Sequence, residues 1–155
     1  MVTAPRPVVS RMTAAAGSIL GIDVHLVLSG ERPSTATGNQ LLSALFGAQA
    51  HYTGAEANHW GELEIAREAL ADELQGSGAA PYPIPIGGST AVGAVGYAIA
   101  FVEIMEQCER AGIDPVAIVH TSSSGGTHAG LVAGRALLHA RGRRVPEVLA
   151  IGVAK

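Results

Sequence analysis

Val116-Ala117-Ile118-Val119-His120 runs straight into Thr121-Ser122-Ser123-Ser124-Gly125-Gly126-Thr127-His128-Ala129-Gly130, and a helical pattern follows from Leu131 to His139. An apolar run, a loop of small residues and a helix start in that order predict a parallel-sheet strand feeding an anion cup. Backbone N–H groups at a helix start lack internal partners and carry partial positive charge. Ser and Thr hydroxyls add donors, and two glycines let the main chain approach an oxyanion closely. A phosphate would fit there without a basic side chain. The run lacks the lysine of a nucleotide-binding P-loop, and its glycines do not follow the dinucleotide pattern, so a phosphate monoester is the better ligand.

A second turn of the same kind, Gly87-Gly88-Ser89-Thr90, follows the extended segment Tyr82-Pro83-Ile84-Pro85-Ile86 and opens a long helix to Ala111. It reads either as a tight turn with Ser89 as the cap or as a ligand-facing element. Two such turns opening parallel helices can share one crevice at the carboxyl ends of their strands, where ligands bind in open α/β sheets. Ser89, Thr90 and Tyr97 are then candidates to face a substrate, with Tyr97 equally readable as a core aromatic. His128 either donates to a ligand or caps and packs. The six histidines show no i, i+4 pair and no Cys/His ligand spacing, so no metal site is expected. No spacing supports a Ser-His-acid triad.

Upstream, Arg11 to Leu20 reads as a helix stopped by Gly21, Asp23 to Leu28 as a strand, Thr37-Gly38-Asn39 as the start of a short helix to Leu45, and Gln49 to Thr53 as another strand. Asn58 is placed to cap a helix from His59 to about Gln75. Val148 to Val153 reads as a last strand. The rhythm is that of an α/β fold with parallel sheets in three layers, helices on both faces. Gln75-Gly76-Ser77-Gly78-Ala79-Ala80-Pro81 is linker-like, which divides the chain into lobes 1–77 and 78–155.

Hydrophobic residues make up 48% and charged residues 15%, against roughly 25% charged in ordinary soluble domains. That balance points to a face for a partner or for self-association. The net charge of −3 and the few aromatics provide neither a basic stripe nor a stacking platform, which argues against nucleic acid. The apolar stretches are interrupted before the roughly 18 residues of a membrane span, and no signal core follows Arg6, so no membrane role is expected. One cysteine, Cys108, excludes an internal disulfide and suits a buried thiol in a reducing cytosol.

Ile84-Pro85-Ile86-Gly87-Gly88-Ser89 with Gly93 to Tyr97, and Ser124-Gly125-Gly126-Thr127-His128-Ala129-Gly130-Leu131, resemble the D-cysteine desulfhydrase and 1-aminocyclopropane-1-carboxylate deaminase family of pyridoxal-phosphate enzymes, which have the tryptophan synthase β fold. Met12 to Gly17, Leu26 to Gly30 and Thr37 to Asn39 carry the likeness into the first lobe. The resemblance implies that Ser122, Ser124, Gly125, Gly126 and Thr127 hold the cofactor phosphate, with Ser123 in the same loop, and that lobe 1–77 is part of a mobile small lobe. Ser123 and Thr90 stand where the family usually has Gly and Asn. The family's cofactor-bearing lysine lies upstream of everything aligned, whereas the single lysine here is Lys155, and Arg6-Pro7-Val8-Val9-Ser10 stands where the family's Ser-Asn-His motif is expected. A Schiff base needs an amine, so pyridoxal phosphate is expected to be covalently bound only if a partner chain supplies the lysine.

The expectation is a truncated, cytoplasmic relative of a lyase or deaminase that keeps the phosphate loop and acts on another small anion. If it is a catalyst, Ser124 and Thr127 would form the oxyanion hole, with His128 as acid or base. The alternatives are a non-catalytic or complementing subunit of a split enzyme, or an inactive gene fragment. A homo-oligomer or a complementary chain is the expected partner.

Overall fold

A computed structural model describes residues 8–56 and 59–153. Arg6, Pro7, Asn58 and Lys155, each of which enters the sequence argument, lie outside the described residues. The chain divides into two compact units, Met1–Ile86 and Gly87–Lys155. The division falls after the proline-containing segment, whereas the linker composition had placed it at 77/78.

In the first unit the order is α1 (Val8–Leu20), β1 (His25–Leu28), α2 (Gly38–Leu45), β2 (Gln49–Tyr52) and α3 (Trp60–Gly76). β1 and β2 pair in parallel, His25 opposite Gln49 and Leu28 opposite Tyr52, as expected where a helix makes the crossover. Ala14, Leu26, Val27, Leu28 and Leu63 are buried. Close contact of α1 with the chain after it depends on Gly17, where a Cβ would meet the Val24 side chain and lie 2.9 Å from the Ile22 carbonyl. The Tyr82–Ile86 segment forms no strand and ends in a 3-10 turn, Ile86–Gly88. Two prolines remove the N–H groups a ladder needs, and the Ile86 N–H instead donates to Glu64 Oε1 at 2.8 Å.

The second unit runs α4 (Ala91–Arg110), β3 (Ala117–Ser122), α5 (Gly126–Ala140) and β4 (Glu147–Gly152). β3 and β4 are parallel, with Ile118 opposite Val148 and Ser122 opposite Gly152. α5 begins five residues earlier than the apolar periodicity from Leu131 suggests, so Gly126, Thr127 and His128 are its first turn. α4 and α5 pack side by side in the same direction through missing side chains. A Cβ on Gly134 would lie 2.6 Å from the Ala98 carbonyl and 2.7 Å from Phe101 Cβ, and one on Gly130 would collide with Ala94 and Tyr97. Phe101 and Met105 of α4 join Leu131 and Leu138 of α5 in the core, with Ile118 and Val148 of the sheet packed against them. Side chains alternate along strands, so Val119, Leu149 and Ile151 take the opposite face, where they are exposed.

Among the described residues α4 alone is long and apolar enough to cross a membrane by length and composition, although Gly93, Gly96, Glu103, Glu106 and Glu109 interrupt its apolar sequence. Cys108 is only partly buried, not the interior thiol expected.

Candidate phosphate-binding site

The serine-rich loop connects β3 to α5 where both elements are well formed. β3 ends at Ser122, two residues later than its apolar run suggests, and Gly125 takes the N-cap position with φ +88°, a left-handed conformation that a side chain resists. No side chain closes this cap. The first backbone bond of the helix is Ala129 N–H to the Gly125 carbonyl at 2.9 Å, so the N–H groups from Gly125 to His128 have no intrahelical acceptor. This is the arrangement anion binding requires.

The second turn meets the first. Ser89 Oγ donates to Ser124 Oγ at 2.7 Å, a Cβ on Gly87 would fall on Ser124 Oγ, and one on Gly126 would lie 2.8 Å from Ser89 Oγ. Gly87 has φ +69°. The two turns are thus in direct contact, with glycine needed on both sides of it.

Other candidates land differently. Thr90, not Ser89, caps α4, its Oγ1 accepting from Gly93 N–H at 3.0 Å, which ties Thr90 to the helix and leaves Ser89 to face the loop. Tyr97 is 46% exposed, against the core reading: its Cβ lies against Gly130 of α5, and it is not among the residues packed with Phe101. Thr127 and His128 are half-buried in the first turn of α5, and Ser123 is exposed.

Sequence spacing missed two histidine pairs, because each forms across elements. His120 Nε2 lies 3.1 Å from His128 Nδ1, and His25 Nδ1 lies 3.0 Å from His51 Nε2 across β1 and β2. The only signal was strand register: His25 and His51 lie diagonally on one face of a parallel pair. Burial first, then the His25 and Arg32 charges against an opposing Glu73, depress the pKa of His51. No cluster of three or more metal-ligating side chains occurs among the described residues.

The first unit has a cleft of about 620 Å³ bordered by Arg32, Gln40, Ser43, His51 and Tyr52. Its cation is already engaged: Arg32 donates to the Ala50 carbonyl at 3.0 Å and lies 5.4 Å over the Tyr52 ring. The loop of the second unit, by contrast, leaves its helix-start N–H groups uncapped.

The family is settled by comparison with known sequences: the pyridoxal-phosphate dependent enzyme family matches residues 9–154. The chain belongs to that family. A Pyrococcus furiosus protein provisionally named 1-aminocyclopropane-1-carboxylate deaminase is 41% identical over 143 residues, covering 92% of this chain and 40% of that protein. D-cysteine desulfhydrase of Serratia proteamaculans is 37% identical over 148 residues, covering 92% of this chain and 42% of its own length. The fold is also that of Escherichia coli diaminopropionate ammonia lyase, with a TM-score of 0.63 at 17% identity over 94% of this chain and 38% of that one. The chain therefore spans about two-fifths of the length of these relatives, and its α/β architecture with parallel strands is theirs.

Pyridoxal phosphate, the group this family implies, fits the loop at one end only. The uncapped N–H groups of Gly125 to His128 and the hydroxyls of Ser122, Ser124 and Thr127 suit a phosphate dianion. No lysine occurs among the described residues, so they offer no amine for covalent attachment.

Proposed function

We propose that this chain is a phosphate-monoester-binding relative of the pyridoxal-phosphate lyases and deaminases, which holds the phosphate on Ser122 to Thr127 and makes no covalent bond to the cofactor through its own residues 1–154. The observation that carries the reading is the uncapped, glycine-preceded start of α5 locked against the Gly87–Ser89 turn. Backbone donors fixed by a strand and a helix need no reorganisation when an oxyanion arrives. Pyridoxal phosphate, when bound, supplies an electron-withdrawing ring beyond its phosphate. That phosphate would be held by the Gly126 and Thr127 N–H groups and by Thr127 Oγ1 as donors, with Ser124 Oγ oriented by Ser89. If the chain is a catalyst in its own right, the same groups stabilise a developing oxyanion and His128 moves the proton. Titration with inorganic phosphate and then with pyridoxal phosphate, followed by the amide resonances of Gly126 and Thr127, tests the reading. Both ligands are expected to move these resonances, and unmoved resonances would overturn it.

A second reading, one part of a split enzyme, is favoured by the exposed apolar face of β3 and β4, where Val119, Leu149 and Ile151 are 62%, 49% and 56% exposed. Such a face calls for a covering partner. Light scattering tests it: a self-associated species or a stoichiometric complex with a second chain is expected, and a stable monomer at high concentration speaks against it.

A further inference from the structure

The histidine pair beside the loop has a fixed hydrogen-bond order. His120 stands on β3 on the same face as Ile118, which packs toward α4 and α5. His128 stands in the first turn of α5, and the two half-buried rings stack at 5.3 Å with 26° between their planes. His120 Nδ1 is 2.8 Å from the Thr121 carbonyl oxygen. A carbonyl only accepts, so that nitrogen carries the hydrogen, and in a neutral ring Nε2 then holds the lone pair. His120 Nε2 therefore accepts from His128 Nδ1–H across 3.1 Å. This leaves His128 Nε2 as the atom of the pair able to gain a proton without breaking either bond.

Position determines when it does so. A dianion seated on the free N–H groups at the start of α5 places negative charge beside His128. Few other charges compete. α4 runs alongside α5, and the level of its chain facing the first turns of α5 carries Tyr97, while its carboxylates Glu103, Glu106 and Glu109 come from the fourth turn on. On α5, Arg135 is bound to Glu147 of β4 at 2.9 Å and His139 is in the last turn. Glu147 itself pairs in the sheet with Ala117, three positions before His120.

We propose that His120 and His128 form a proton-linked pair: when a dianion binds the Ser124–Thr127 loop, His128 Nε2 takes up one proton, and His120 acts as the positioning residue that holds His128 in the required tautomer. The proposal rests on the loop being the anion site. By reciprocity of linkage, protonation strengthens anion binding as much as the anion favours protonation.

Sulfate is the probe, because it remains a dianion across neutral pH while phosphate itself titrates. Calorimetric titration from pH 6 to 8.5, in buffers of different ionisation enthalpy, is expected to show affinity falling with rising pH by at most about tenfold per unit, with uptake approaching one proton. His128→Gln should flatten the pH dependence. His120→Phe keeps a stacked ring but no acceptor and should reduce the uptake, and His120→Gln, which restores an acceptor, should recover part of it. Nitrogen chemical shifts of the His128 ring should report Nδ1–H in the parent protein and a change of tautomer in His120→Phe. Sulfate that moves the Gly126 and Thr127 amides with a pH-independent affinity overturns the pair and leaves the loop standing. Full pH dependence in His128→Gln also overturns the pair. Sulfate that moves no amide at any pH overturns both.

Discussion

Ser89 Oγ donates to Ser124 Oγ across 2.7 Å, joining two turns that are 35 residues apart in the chain. Each turn precedes a helix and each contains a glycine at positive φ, Gly87 and Gly125. The approach of the two turns is therefore set by main chain, with the hydroxyl pair as its clasp.

Gly87→Ala should break the clasp, since its Cβ would occupy the place of Ser124 Oγ and its φ of +69° disfavours any side chain. Phosphate affinity is expected to fall at least about tenfold, roughly the 1–3 kcal/mol typical of local backbone strain. Gly126→Pro acts differently: proline suits the first position of a helix but removes one donor and crowds Ser89. Loss of phosphate binding with α5 retained, read by amide shifts and circular dichroism, is the expected result.

Gly134→Val should destabilise the second unit by about 1–3 kcal/mol through overpacking, because its Cβ would press on the Ala98 carbonyl and Phe101. Urea unfolding followed at α5 resonances measures this. An equal substitution at Gly142, where no neighbour lies within 4 Å but φ is +74°, isolates the backbone cost.

The depressed pKa of His51 has a definite sign. The unfolded chain binds the proton more readily, so the contribution of His51 to the stability of the first unit is complete above about pH 6.5. It is lost as pH falls through the lower folded value. Urea midpoints of the first unit should drop on acidification from pH 7 to 5, and His51→Gln should reduce that drop.

Borohydride treatment of the protein with pyridoxal phosphate should leave no pyridoxyl group on any side chain of residues 1–154, none of which is a lysine. Peptide mass mapping checks this, and a side-chain adduct within those residues would contradict the proposed non-covalent binding.

Much of this was legible in the sequence because it rests on local chemistry. The apolar run before Thr121, the glycines at 125 and 126 and the stop at Gly112 each specify backbone conformation within a few residues, and the elements form where they indicate. The extra turn of α5 was obscured because Gly126, Thr127 and Gly130 carry no apolar periodicity; packing against α4 makes those residues helical. The exposure of Tyr97 and the choice of Thr90 as cap depend on which side chain the neighbouring helix leaves room for. The His120–His128 pair depends on a tertiary meeting of strand and helix that no spacing encodes.

Because β3 and β4 run parallel, they cannot close as a hairpin, and the chain between them must cross over through the fifteen residues of α5. On heating, melting α5 uncovers Ile118 and Val148, so that both faces of the two strands are bare together with the already exposed Val119, Leu149 and Ile151. Turbidity should begin at the temperature where helical signal starts to fall, and an anion seated at the head of α5 would delay both by the same interval.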